Sequence, residues 1–147
     1  MRITELFTAQ SIALDEALTD QEQIISRLVE LQATHGNITD KDAYKKALYA
    51  REAEGSTYVD NGITVPHART ACVTRPSLAA LRLSTPVQYN ADDDGKTDLL
   101  FAIAAPENGS LHIDMLARMM QMLMNDDFVE KLRTAKTPAE FLDAIDA

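Results

Sequence analysis

Apolar residues near the start of the chain change from irregular runs to a helical period. Residues 3–14 alternate poorly and predict an entry strand with a turn. Thr19 or Asp20 can cap the helix that follows, in which apolar residues form one broad face as far as Leu31. Gly36 then stands where a glycine commonly ends a helix.

A second helix and an extended segment are predicted next. The helix begins near Thr39 or Asp40 and continues to about Glu54, where Gly55 breaks it. Residues 56–66 favour loop and strand, and they contain an Asn-Gly pair that is typical of a tight turn.

The sequence Val65-Pro66-His67 predicts a strand end. Proline forces the preceding Val65 into an extended conformation, and Pro66 cannot itself occupy the ladder of a central strand. We therefore expect His67 to lie just past the end of a short strand, where loops of α/β sheets carry functional groups.

Two apolar segments predict the middle of a sheet. Residues 78–84 and 98–105 both favour strands, and the second is apolar almost throughout. Such a strand is typically central and buried on both faces. Residues 90–97 between them predict a solvated turn. They partly match a calcium loop, but Phe101 replaces the final carboxylate ligand.

The last third of the chain is predicted to be helical. Ser110 can cap a long helix over residues 111–124, whose several methionines we expect to pack in the core. Asp126 or Asp127 can cap another helix, and Thr137-Pro138 begins a final short one.

The order of these elements predicts the fold class. Helices and strands alternate, which indicates an α/β fold with a mixed β-sheet flanked by helices on both faces. A chain of 147 residues is close to the most common domain length. We therefore expect a single domain over residues 1–147.

Charge and composition exclude several classes of protein. The net charge of −9 comes with no basic face, so nucleic acid is not an expected partner. A single cysteine, Cys72, excludes an internal disulfide. The sequence has neither a long apolar stretch nor a signal peptide pattern, so we expect a cytoplasmic protein without direct membrane insertion.

The chain has three histidines, in different settings. His35 lies at a predicted helix end, where it can interact with the helix dipole. His67 has Arg51 on the preceding helix, and His112 lies in the first turn of the long helix, which disfavours a protonated ring. From spacing alone, a structural role is favoured for both of the last two histidines. His67 would be a surface residue in a proline turn, and His112 a residue packed on the core.

One chemistry would use these residues together. Phosphoryl transfer through histidine needs a neutral ring nitrogen as the nucleophile and positive groups or N–H dipoles beside the transferred oxygens. The side chains of His67, His112 and Arg51, with the hydroxyls of Ser56 and Thr57, would be a sufficient set. No metal or cofactor is needed.

Residues 51–68, REAEGSTYVDNGITVPHA, resemble the phosphorylation-site signature of Enzyme IIA domains of the bacterial sugar phosphotransferase system, in the fructose and mannitol (type 2) family. The resemblance covers essentially the whole chain. It implies that His67 is phosphorylated through Nε2, that Arg51 is the family's arginine, and that His112, in HIDML, is its second active-site histidine. Thr64 departs from the more common alanine and is expected to add a hydroxyl near the site.

The resemblance also implies the partners. The carrier protein HPr would phosphorylate His67, and a cysteine of Enzyme IIB would take the phosphoryl group for sugar uptake. An alternative is a regulatory protein of the nitrogen-related kind, which signals through its phosphorylation state. A hydrolase using Ser56 or Cys72 is not favoured, because no nucleophile elbow is present and Cys72 is expected to be a small buried apolar residue.

Overall fold

The computed structural model describes residues 3–34, 37–91, 93, 95–107 and 111–146, without the side chains of residues 111–113 and 115–116. Helices occupy much of this part of the chain, and they are α1 Gln21–Ala33, α2 Lys41–Glu54, α3 Leu111–Leu123, α4 Asp126–Thr134 and α5 Pro138–Asp146. The strands are β1 Ile12–Glu16, β2 Tyr58–Asp60, β3 Ile63–Thr64, β4 His67–Arg69, β5 Ser77–Val87 and β6 Thr97–Ala105.

The first two helices begin where their caps predict. Asp20 accepts a hydrogen bond from the N–H of Gln23 at 2.8 Å, and Asp40 accepts one from Ala43 at 3.0 Å. These contacts satisfy N–H groups that lack a partner inside the helix. Gly55 follows the last residue of α2, as predicted. The predicted end of α1 at Gly36 lies outside the described residues.

The entry strand predicted over residues 3–14 is wrong for most of its length. Ile3–Leu6 and Ala9–Ser11 form 3₁₀ turns, and β1 starts only at Ile12. The Ser11 hydroxyl accepts from the Thr8 N–H and donates to the Thr8 carbonyl, each at 2.9 Å. Such local hydrogen bonds between a side chain and the backbone compete with strand formation.

The cap of α4 also differs from the prediction. Asn125, rather than Asp126 or Asp127, is the N-cap, and its Oδ1 atom accepts from the Phe128 N–H at 3.1 Å. Both aspartates lie in the first turn, where the helix dipole favours negative charge. The final helix begins as predicted, with the Thr137 hydroxyl accepting from the Glu140 N–H at 3.1 Å.

The strands of the described residues form one mixed sheet of six, with five in the order β1-β5-β6-β3-β2 and the sixth, β4, paired to β6. β6 is central: it pairs antiparallel with β5 on one edge and parallel with both β3 and β4 on the other. Along β6, side chains alternate between two apolar clusters, with Leu99, Phe101 and Ile103 in one and Leu100, Ala102 and Ala104 in the other.

Helices cover both faces of this sheet, which confirms the predicted fold class. α3, α4 and α5 contribute to one cluster, through residues such as Met119 and Phe141, and α1 and α2 contribute to the other, through residues such as Leu28 and Tyr44. Met119 is buried as expected, whereas Met124 is exposed. No helix in the described ranges is long and apolar enough to cross a membrane.

His67 lies just past the end of the short strand β3, as predicted, and it is also the first residue of β4, which was not predicted. β3 and β4 follow each other along the same edge of β6 in the same register, since Ile63 pairs with Leu99 and His67 pairs with Ile103. The residues between them, Val65 and Pro66, interrupt the strand because proline has no N–H to donate. His67 is therefore the first residue after a break in a strand.

The predicted Asn61-Gly62 turn joins β2 to β3. Both residues have positive φ, 55° and 80°, as the tight turn of a hairpin requires. A Cβ atom at Gly62 would come within 2.7 Å of Asp98 Oδ1 and 2.8 Å of Arg133 Nη2, so glycine is needed there for space as well.

The corrected cap of α4 gives a stability prediction. Replacing Asn125 with Ala leaves the Phe128 N–H without its acceptor, and we expect the free energy of unfolding to fall by about 1 kcal/mol. Asp127→Ala, the matched control in the first turn, should cost only about 0.3 kcal/mol through the helix dipole. Urea denaturation followed by circular dichroism measures both, and a larger loss for Asp127→Ala would contradict the assignment.

Candidate active site

The imidazole of His67 is fixed by its own backbone neighbourhood. His67 is half-buried at the start of β4, and its Nδ1 atom lies 2.9 Å from the carbonyl oxygen of Val65. A carbonyl only accepts hydrogen bonds, so Nδ1 must carry the proton. The second ring nitrogen, Nε2, is then left with a lone pair.

The contact with Arg51 independently places the proton of the His67 ring on Nδ1. Its Nε–H group donates to His67 Nε2 at 3.3 Å. Because a guanidinium never accepts, Nε2 must be the acceptor and therefore unprotonated. Arg51 lies in the last turn of α2, and its Nη1 atom is anchored by a 2.8 Å hydrogen bond to the carbonyl of Gly55.

These contacts define what the pair can do chemically. A neutral histidine presents an unprotonated nitrogen, which is the form that acts as a nucleophile. A guanidinium beside that nitrogen can stabilise negative oxygens of an incoming group through its planar set of donors. His67 and Arg51 were both predicted as site residues, and the structure brings them together.

Ser56 lies on the loop between α2 and β2. Its hydroxyl donates to a carboxylate oxygen of Asp93 and accepts from the N–H of Tyr58 at 3.0 Å. A hydroxyl has a single proton to donate. Ser56 can therefore donate to an anion near Arg51 only after its contact with Asp93 opens.

Thr57 uses its polar groups on Glu52 in this structure. The side chain is buried, and its hydroxyl donates to Glu52 Oε1 at 2.5 Å while its backbone N–H donates to Glu52 Oε2 at 3.0 Å. The predicted direct use of this hydroxyl therefore competes with a buried hydrogen bond. Thr57 instead contributes to the shape of the loop.

Glu52 is a residue that the sequence analysis missed. Its carboxylate is buried and also accepts from Asn90 Nδ2 at 2.6 Å. The solvated turn predicted over residues 90–97 is thus wrong at both ends, since Asn90 is buried against Glu52 and Thr97 is buried at the start of β6. Burial, and secondarily the negative charge of Glu52, raise the pKa of Tyr89. The signal available in the sequence was the position of Glu52 directly after Arg51 on a helix. Consecutive helical residues point about 100° apart, so the two side chains lie on different faces.

The second predicted histidine lies in the expected element. His112 is the second residue of α3, while its side chain and the predicted cap Ser110 lie outside the described residues. The chain leading to α3 is attached to β4, because Arg69 Nε donates to the carbonyl of Glu107 at 3.0 Å. The strand that begins with His67 is therefore tied to the segment that precedes His112.

The remaining candidates are placed elsewhere. Cys72 is a buried free cysteine, as predicted, and not an exposed nucleophile. The Thr64 hydroxyl, expected near the site, lies in the interior 2.7 Å from the Thr97 hydroxyl. No group of three or more potential metal ligands occurs among the described residues, and Asp92 and Asp94 of the calcium-like turn lie outside them.

Comparison with known proteins identifies relatives along the whole chain. Residues 5–147 match the family described as phosphoenolpyruvate-dependent sugar phosphotransferase system, EIIA 2. The chain is 34% identical over 146 residues to the fructose-specific EIIABC component of Bacillus subtilis (strain 168), covering 99% of this chain and 23% of that protein. It is 34% identical over 149 residues to the fructose-specific EIIA component of Haloferax volcanii, covering 99% of this chain and 97% of that protein.

Solved structures share the fold. The nitrogen regulatory protein IIA-Ntr of Neisseria meningitidis superposes with a TM-score of 0.89 at 25% identity, over 97% of this chain and 98% of that one. IIA mannitol of Escherichia coli, solved in complex with phosphorylated enzyme IIB mannitol, superposes with a TM-score of 0.80 at 22% identity, over 95% and 96% of the two chains.

The two hydrogen bonds of His67 predict its tautomer. When the imidazole is neutral, we expect the proton on Nδ1 and a lone pair on Nε2, because both observed partners require this form. Two-bond ¹H–¹⁵N correlation spectra distinguish the two tautomers. The His67→Gln spectrum assigns the signals by difference, and a neutral ring protonated on Nε2 would contradict the geometry.

Proposed function

Because the chain belongs to the EIIA 2 family of the phosphoenolpyruvate-dependent sugar phosphotransferase system, we propose that it carries a phosphoryl group on Nε2 of His67. The observation that carries this proposal is the fixed ring: Nδ1 is held by the Val65 carbonyl while Nε2 faces the guanidinium of Arg51. A carrier needs a nucleophilic nitrogen beside a positive group, and these contacts supply both.

The proposed step is a transfer between two proteins. Phospho-HPr docks over the site, and the Nε2 lone pair of His67 attacks the phosphorus in line with the departing donor atom. A bond forms between Nε2 and phosphorus as the bond to the donor breaks. For the lone pair to attack, Arg51 must first give up its contact with Nε2, and its donors then bind the phosphoryl oxygens.

The Val65 carbonyl has a second use in this step. The ring of His67 gains positive charge when Nε2 is phosphorylated while Nδ1 keeps its proton. A carbonyl oxygen 2.9 Å from Nδ1 stabilises that charge and prevents the ring from rotating. The contact that selects the tautomer therefore also supports the loaded state.

The other predicted residues complete the proposal. His112 opens α3, a setting suited to steadying a phosphoryl group and passing it on. Ser56 donates to the transferred group after releasing Asp93, and Thr57 supports it through the loop that its bonds to Glu52 hold. No metal or cofactor takes part.

Membership of the same family supports a second step, in which the phosphoryl group is passed on to another protein. A cysteine of Enzyme IIB accepts the phosphoryl group for sugar uptake, with residues 1–147 acting as one type-2 domain in the cytoplasm. The chain spans 23% of the length of two relatives, EIIABC components from Bacillus subtilis and Escherichia coli. Those proteins are described as specific for fructose and for 2-O-alpha-mannosyl-D-glycerate.

A regulatory role is the second candidate. It is favoured by the structural likeness to the nitrogen regulatory protein IIA-Ntr of Neisseria meningitidis, at a TM-score of 0.89. Such a protein would use the same phosphorylated histidine to report its state to other proteins. Onward transfer to an Enzyme IIB separates the two roles, because only the transport role requires it.

Phosphorylation is tested by intact mass after incubation with phosphoenolpyruvate, Enzyme I and HPr. We expect the mass of one phosphoryl group to be gained and then lost in acid, and His67→Gln to gain nothing because the nucleophile is gone. His35→Gln is the matched control among the three histidines and should be labelled like the natural chain. Labelling of His67→Gln would sink the assignment.

His112 is tested at the second step. His112→Ala keeps the nucleophile, so the protein should still accept the phosphoryl group from phospho-HPr to some degree. We expect transfer onward to Enzyme IIB to slow by about 100-fold, the scale of removing one stabilising donor. Rapid-quench kinetics with preloaded protein measure this step alone, and an unchanged rate would show that His112 is structural.

A further inference from the structure

Glu52 occupies a position that its sequence neighbours do not explain. A carboxylate that is 5% exposed must have hydrogen-bond donors to be stable in the interior. Glu52 has three of them: the N–H and hydroxyl of Thr57 and the side-chain amide of Asn90. These donors come from two different loops, so a single side chain joins both loops to the end of α2.

The loop held by Glu52 carries the anchors of both groups in the site. Near the start of this loop, the carbonyl of Gly55 accepts from Arg51 Nη1 at 2.8 Å and thereby directs the guanidinium. Two residues later, the carbonyl of Thr57 accepts from the N–H of Val65 at 3.0 Å. The opposite end of Val65 is the carbonyl that holds His67 Nδ1.

Each partner of the imidazole therefore depends on residues 55–57. Arg51 is oriented by the first residue of this segment, and the Val65 carbonyl is placed by the last one. Glu52 binds that last residue, Thr57, through both its backbone and its side chain. A shift of the segment would move the guanidinium and the imidazole relative to each other.

We propose that Glu52 is a positioning residue for phosphoryl transfer, acting through residues 55–57 on both Arg51 and His67. The proposal rests on the function proposed above. The carboxylate of Glu52 does not touch the reacting atoms. Glu52 contributes through the geometry of its hydrogen bonds rather than through its charge. A displacement of about 1 Å in a reacting pair can cost about 100-fold in rate, so a positioning error is measurable.

Two variants separate geometry from charge without deleting the side chain. Glu52→Gln keeps the reach: its carbonyl oxygen can replace Oε2, and its NH₂ can donate to the Thr57 hydroxyl, which rotates to accept. Glu52→Asp keeps the charge but is shorter by one methylene, so it cannot satisfy Thr57 and Asn90 together. The two substitutions thus make opposite predictions.

The first measurement is the rate of phosphoryl transfer from phospho-HPr to His67. We expect Glu52→Gln to stay within about threefold of the natural chain and Glu52→Asp to be slower by about 10- to 100-fold, the loss typical of a misplaced reacting pair. The matched control is Asp15→Ala, which removes the ion pair between Asp15 on β1 and Arg82 on β5. β1 is the edge strand opposite β2. That variant should lose stability, and its transfer rate should not change.

The second measurement does not depend on phosphorylation. The ¹⁵N spectrum of neutral His67 should show the Nδ1–H tautomer in Glu52→Gln and a mixture of tautomers in Glu52→Asp. A natural chain that accepts no phosphoryl group would refute the proposed function, while the spectra would still test Glu52. A normal rate and a normal tautomer in Glu52→Asp would overturn the inference, as would a Glu52→Gln variant as slow as Glu52→Asp.

Discussion

The site depends on the hydrogen bond between the Val65 carbonyl and His67 Nδ1, which forms on the edge of the strand that faces away from β6. The carbonyls of Gly62 and Pro66 accept from Leu99 and Ile103 of β6, so the residues that face β6 alternate with those that do not. Val65 faces the other edge, where its N–H donates to the Thr57 carbonyl and its carbonyl accepts from the imidazole two residues later. Pro66 keeps its bond to Ile103 and lacks only the N–H that would have donated to β6.

The missing donor at Pro66 does not disturb the alignment of the strands. β6 is paired on both edges, and the register against it is the same before and after the break. Its two faces differ in size: Phe101 and Ile103 face α3, α4 and α5, whereas Ala102 and Ala104 face α1 and α2. On the second face, Ala68 of β4 lies in the same cluster as Leu48 of α2, and Arg51 at the end of that helix reaches His67.

The sequence predicted several features that depend on local chemistry, although not the turns before β1 or the cap of α4, and it missed a contact between distant residues. Caps at Asp20 and Asp40 and the Asn61-Gly62 turn are local signals, and the structure confirms them. The pair of His67 and Arg51 was found because a motif joins them. The role of Glu52 was missed because its burial depends on Asn90, 38 residues away, and because no period or cap marks its bonds to Thr57.

The proposed carrier must also release what it binds. Among the described side chains, the guanidinium of Arg51 next to Nε2, with the backbone carbonyl at Nδ1, would stabilise a phosphoryl group without surrounding it with charge. A cluster of several cations would hold the group more tightly and slow its departure. The contact of Ser56 with Asp93 acts in the same direction, because the hydroxyl must give up one acceptor to gain another. Loading and unloading therefore differ by exchanges of hydrogen bonds, a balance that lets a phosphoryl group move on.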